Sequence, residues 1–148
     1  MEETIKSNVI SLKFIIGLLV FILFLHILAL INYWYWVYLW FDMPMHFLGG
    51  FWVAMAASAL IFNLQFPISK ESINQKFSRL TVVILSFVAL IGVFWEFFEF
   101  FYDVLISSRG YSEFLQLGAA DTLSDLFFDL LGGLTFLIIY RFFNKKRN

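Results

Sequence analysis

The chain has 148 residues, of which 61% are apolar, 22% aromatic and only 14% charged, with a formal charge of −1. Soluble domains carry roughly 25% charged residues, so this balance excludes an ordinary soluble protein and points to a polytopic one in the bilayer. The near-neutral charge gives no basis for a nucleic-acid partner, and the absence of cysteine excludes disulfides and thiolate metal sites.

The predicted elements are all helical, and they form one transmembrane domain over residues 1–148. A short polar start with Glu2, Glu3 and Lys6 leads to a first span over residues 12–31. That run is too long for a signal-peptide core and lacks a small-residue cleavage site, so it reads as a retained helix. Its one strongly polar interior residue is His26, which suits a polar contact between helices or a ligand role. Residues 33–40, Tyr-Trp-Tyr-Trp-Val-Tyr-Leu-Trp, form an aromatic belt of the kind that sits at headgroup level.

Asp42 is a good N-cap, and Pro44 is tolerated in a first helical turn, so a second span is predicted over residues 44–62. It is rich in small residues: Gly49, Gly50, Ala54, Ala56, Ala57, Ser58 and Ala59. Small residues let helix backbones approach closely in lipid. A polar loop with Pro67, Lys70, Glu71 and Lys76 separates it from a third span, residues 80–101. Glu96, Glu99 and Asp103 fall at i, i+3 and i+7, on one helical face. A connection with Arg109, Gly110 and Gly118 leads to the fourth span, residues 121–140. There Asp121, Asp125 and Asp129 recur every fourth residue, again on one face.

Four spans place the N-terminus, the loop around residues 65–79 and the C-terminus on one side. Of the ten basic residues, only Arg109 falls on the other side. The positive-inside rule then predicts both termini in the cytoplasm of a multi-pass protein of the plasma or inner membrane. In that arrangement Asp42, His46, Asp103 and Asp121 start or end helices at the outer rim. Glu96 lies about 10 Å below Asp103, and Asp129 about 12 Å below Asp121, at 1.5 Å rise per residue. The acids line a funnel open to the outside.

Acids at membrane depth are costly and mark function. Ionised together they repel, so either several keep their protons or a cation neutralises them. Oxygen-rich sites suit Mg²⁺, Mn²⁺ and Ca²⁺, and an imidazole adds Zn²⁺. The predicted metal ligands are Asp42, His46, Glu96, Glu99, Asp121 and Asp125, with Glu96, Glu99 and His46 in catalytic roles; Asp103, Asp129 and Arg109 are additional members. Asp42 also serves as a plain cap, and Asp103, Glu113 and Asp121 as solvated helix ends.

Three motifs carry a resemblance. They are Phe41-Asp42-x3-His46-Phe47-x2-Gly50-Phe51-x2-Ala54, Trp95-Glu96-x2-Glu99, and Asp121-Thr122-x2-Asp125-Leu126. Together they resemble the YjdF-type family of small bacterial inner-membrane proteins, and more loosely the VanZ-like family linked to teicoplanin resistance. The chain departs from that pattern in its shorter length, in the loop before Asp121, and in Asp129.

Three functions compete. The first is a metal-dependent hydrolase or phosphotransferase acting on a lipid or lipid-linked substrate, with carboxylates holding the ion and a glutamate as general base. The second is cation or proton binding or transport, for which four helices require a homo-oligomer. The third is a structural membrane protein whose acids hydrogen-bond between helices.

Overall fold

The computed structural model describes residues 10–63 and 73–145. The expected polar start with Lys6, the loop around Lys70 and Glu71, and the basic end with Lys146 and Arg147 lie outside the described residues. The described chain is all helical: α1 (Leu12–Ile31), α2 (Trp34–Val37), α3 (Asp42–Asn63), α4 (Ile73–Leu105), a 3-10 turn (Ser107–Arg109) and α5 (Ala119–Lys145). Four of these segments are long and apolar enough to cross a membrane.

The first span has the predicted bounds, and the other three run longer. Helix α3 opens at Asp42 rather than Pro44, because a carboxylate in the first turn meets the positive end of the helix dipole. Helix α4 has 33 residues, about 50 Å at 1.5 Å per residue, well beyond a hydrocarbon core of about 30 Å. Its first turns continue the helical hydrogen bonds through polar residues that apolar length alone does not count. The aromatic belt is a compact turn. Tyr33 adopts the left-handed conformation, with φ 58°, after α1. The chain then winds through α2, where Tyr35 packs edge-on to Phe41.

Helices α3 and α5 form the seam of the bundle. A methyl group on Gly50 would run into the backbone carbonyl of Asp129, and one on Gly132 into the carbonyl of Phe47. Only glycine at both positions permits this backbone approach. Below the crossing, Ala54, Met55, Ala57 and Ala59 of α3 pack with Ile84 and Val88 of α4 and with Phe136 and Leu137 of α5. Helix α1 lies at the margin, where only Ile15 and Ala29 are buried and Trp52 Nε1 donates to the Ile15 carbonyl at 2.9 Å. The outer faces carry Leu, Ile, Val and Phe throughout, as lipid requires. At one end of the bundle the two connections meet, where Trp36 Nε1 donates to the Phe114 carbonyl at 2.8 Å.

Candidate functional site

The site is built where α3 and α5 cross. On α3, one helical turn brings Asp42 and His46 to the same face. On α5, the same spacing aligns Asp125 and Asp129. The glycine seam closes the gap between the two faces. His46 Nε2 lies 3.6 Å from Asp42 Oδ1 and 4.0 Å from Asp125 Oδ1, and its Nδ1 lies 3.4 Å from Asp129 Oδ2. With its proton on Nδ1, His46 donates to Asp129 and turns the Nε2 lone pair toward the other two carboxylates.

Three of these residues, Asp42, His46 and Asp125, each offer one ligand atom within 4.8 Å of the others. Two ligands bound about 2.0–2.6 Å from a shared ion are separated by at most about 4–5 Å. The spacing is therefore short enough for the three to hold a common cation. The carboxylates tell the same story: Asp125 is 1% exposed and Glu96 5%, yet Asp125 Oδ2 and Glu96 Oε1 have no hydrogen-bond partner. A buried carboxylate oxygen without a donor is expensive, and a cation relieves it. A carboxylate-rich set with one imidazole suits Mn²⁺ or Zn²⁺.

Helix α4 supplies the opposite wall. Glu96 interacts electrostatically with Asp42, Asp125, Asp129 and Glu99, so the α4 acids face the α3–α5 cluster. Gln116 Nε2 donates to Glu96 Oε2 at 3.1 Å and lies 3.3 Å from Thr122 Oγ1, tying α4 to α5. Trp95 Nε1 donates to Glu99 Oε1 at 2.8 Å. Asp121 accepts from the Leu117 amide at 3.0 Å and sits at the start of α5, near Asp42.

Two of the additional candidates stand apart. Asp103 is buried, but its oxygens are taken: it accepts from Ser107 Oγ and from the amides of Leu115 and Gln116, each at 2.9 Å. It clamps the loop before α5 and is not a solvated helix end. Arg109, the other additional candidate, is exposed in the 3-10 turn and is not among the residues grouped around His46. Asp129, by contrast, makes the shortest contact to His46. Its carboxylate occupies space left by Gly49 and Gly92, where an added methyl would come within 3.8 Å and 2.6 Å of its oxygens.

Beside the cluster lies a cavity of about 150 Å³ bounded by α1, α2, the start of α3, the second half of α4 and the loop before α5. Asp42 belongs both to its wall and to the His46 cluster. On the far wall His26 Nδ1 and the Tyr35 hydroxyl are hydrogen-bonded at 2.7 Å, and His26 stands edge-on to Trp95. Burial, with Asp42 and Glu99 nearby, raises the Tyr35 phenol above its ordinary value, so it stays protonated. Gln116, Tyr35 and Trp95 were not among the predicted site residues. The i, i+4 spacing of Trp95 and Glu99 was the one signal present for them.

The family described as "Predicted membrane protein (DUF2238)" matches residues 6–146. The match is consistent with the YjdF-type resemblance and does not show the VanZ-like one. No curated protein and no solved structure matches the chain.

Proposed function

The chain belongs to the DUF2238 family of membrane proteins, and we propose that its buried cluster holds a divalent metal ion and serves hydrolysis or phosphoryl transfer on a lipid or lipid-linked substrate. One observation carries the reading: ligand atoms of Asp42, His46 and Asp125 gather within 4.8 Å of one another, and Asp125 has a buried oxygen with no hydrogen-bond partner. A divalent ion there would supply charge stabilisation to phosphate oxygens and acidify water. His46 is a ligand through Nε2, and Asp129 holds its ring and tautomer. Glu99, on the cavity wall, is the general base, and Glu96 is a further ligand oriented by Gln116.

Transport fits less well. Among the described residues the buried carboxylates run inward from the rim only as far as Asp129, and the core beyond is Ala54, Met55, Ile84, Val88, Phe136 and Leu137 with a single buried hydroxyl, Ser58, which is spent on the Ala54 carbonyl. A conduction path needs polar groups on both sides of the bilayer.

The binding test uses purified full-length protein stripped with chelator and titrated calorimetrically with Mn²⁺ and Zn²⁺. We expect saturable binding, weakened at least tenfold in Asp125→Asn and about 10–100-fold in Asp129→Asn. Metal at about 100 times its Kd should add about 2.7 kcal/mol of stability to the wild type. No saturable binding, together with equal melting in metal and in chelator, would sink the proposal. The catalytic part is tested by release of a headgroup from lipid phosphoesters, expected from loaded wild type and not from Glu99→Gln.

We further propose that the site end faces outward from the cell membrane, with both termini inside, on the strength of the sequence positions of the basic residues, nine of ten of which fall before or in the first turn of predicted span one, between spans two and three, and after span four. The chain has no cysteine, so Gly110→Cys gives a unique probe. It should react with an impermeant maleimide on intact cells; protection there and labelling of a cysteine added after Asn148 would reverse the orientation.

A further inference from the structure

The cavity beside the cluster combines two chemistries that seldom share a wall. Trp36, Trp95, Phe98 and Tyr102 give it aromatic surface, while Asp42, Glu99 and Asp121 give it carboxyl groups, and no lysine or arginine lines it. A site for hydrocarbon has no use for three carboxyls in one small space. A site for a bare or hydrated metal ion has no use for five aromatic rings, that of Tyr35 included. An organic cation uses both, because aromatic faces attract ammonium groups and the carboxylates supply the opposite charge.

We propose that this cavity binds a small organic ammonium group, and that the phosphoester acted on at the neighbouring cluster carries that amine. The second clause rests on the metal reading above; the first does not. At about 150 Å³ the space is that of cavities that take one benzene-sized group, which matches a trimethylammonium head. The pocket is also held in shape. The Trp95 N–H is committed to Glu99, the Tyr35 hydroxyl to His26, and the Trp36 N–H to the Phe114 carbonyl. A pre-set cage loses little entropy on binding. Asp42 belongs to both sites, so an ammonium in the cavity places a phosphate attached to it beside His46 and Asp125. The amine belongs either to a lipid headgroup or to a soluble phosphoester.

The test compares choline with its neutral carbon isostere, 3,3-dimethylbutan-1-ol, on purified full-length protein in an uncharged detergent containing chelator, read by calorimetry and tryptophan fluorescence. We expect saturable choline binding without metal and an isostere at least about tenfold weaker, the worth of a desolvated cation–π cage. Glu99→Gln and Trp95→Leu should each lose about tenfold. If either variant fails to fold, the isostere comparison on wild type still decides. Equal binding of the two compounds, or no saturable choline binding with or without Mn²⁺, overturns the proposal. Choline binding without any metal binding would keep the ammonium site and remove both the metal reading and the substrate clause. Repeating the titration in nanodiscs separates the sources. Weaker apparent choline affinity in phosphatidylcholine than in phosphatidylglycerol discs identifies a lipid headgroup, and equal affinity identifies a soluble amine phosphoester.

Discussion

Helices α1 and α3 invert the rule of soluble proteins. The α1 span has a mean hydropathy of 3.1 and is 11% buried, while the α3 span has a mean hydropathy of only 1.4 and is 50% buried. In water the most apolar helix goes inside. In lipid the tails already satisfy apolar side chains, so hydropathy gives no reason to leave them. Backbone fit and polar groups decide instead. Helix α3 has both: glycines that admit a neighbouring backbone, and Asp42 and His46, which cannot face hydrocarbon. Helix α1 offers two part-buried polar contacts, the Ile15 carbonyl that receives Trp52 and His26, which meets the Tyr35 hydroxyl, and neither needs a close backbone approach.

A glycine series makes the contrast measurable. Gly50→Ala should do the most damage, because the new methyl meets the Asp129 backbone and no rotamer can move it away. We expect a loss of about 3 kcal/mol or more, seen as disappearance of the monodisperse peak in fluorescence-detected size exclusion. Gly92→Ala should lose about 1 kcal/mol and weaken metal binding, since the atom met first is the Asp129 carboxylate, which can swing aside only by leaving His46. Gly17→Ala, on α1, meets nothing within 4 Å and should be neutral or stabilising by up to about 1 kcal/mol. A series in which Gly17 proved as intolerant as Gly50 would mean that α1 is a packed helix after all. A small effect is also expected from Trp52→Phe, which removes the α1–α3 hydrogen bond and should lower stability by about 0.6 kcal/mol, the membrane average for such a contact. A shift several times larger would show that α1 is held far more tightly than its exposure implies.

The four spans and the faces of the acids were legible because both follow from local periodicity. Apolar length marks a span, and i, i+4 spacing marks a face. The rank of Asp129 was not legible, since its contact with His46 depends on how closely α3 and α5 approach. That distance is decided by Gly50 and Gly132 together, on helices far apart in the chain. The role of Asp103 was hidden for a related reason. Its partners are the amides of Leu115 and Gln116, and a loop's backbone donors leave no trace in side-chain pattern. The cavity was equally invisible: the aromatic belt reads as an interface anchor on composition, and only its turn through Tyr33 brings Tyr35 and Trp36 against α4.

The seam between the second and fourth spans also has a consequence for biosynthesis. His46 and Asp129 are 83 residues apart, and synthesis runs at about 5–20 residues per second, so His46 emerges about 4–17 s before the residue that will hold it. Through that interval α3 carries Asp42 and His46 without the α5 carboxylates that face them, at a cost below the about 2.5–3.5 kcal/mol of a charge at mid-bilayer because both lie in the first turns of the helix. Helix α1, with a mean hydropathy of 3.1, is apolar enough to enter the membrane by itself, whereas α3, at 1.4, inserts less favourably until α5 covers its polar face. Assembly is therefore tied to completion of the chain: a ribosome that stops before α5 leaves behind a helix whose polar face has no partner, a mark that membrane proteases can read.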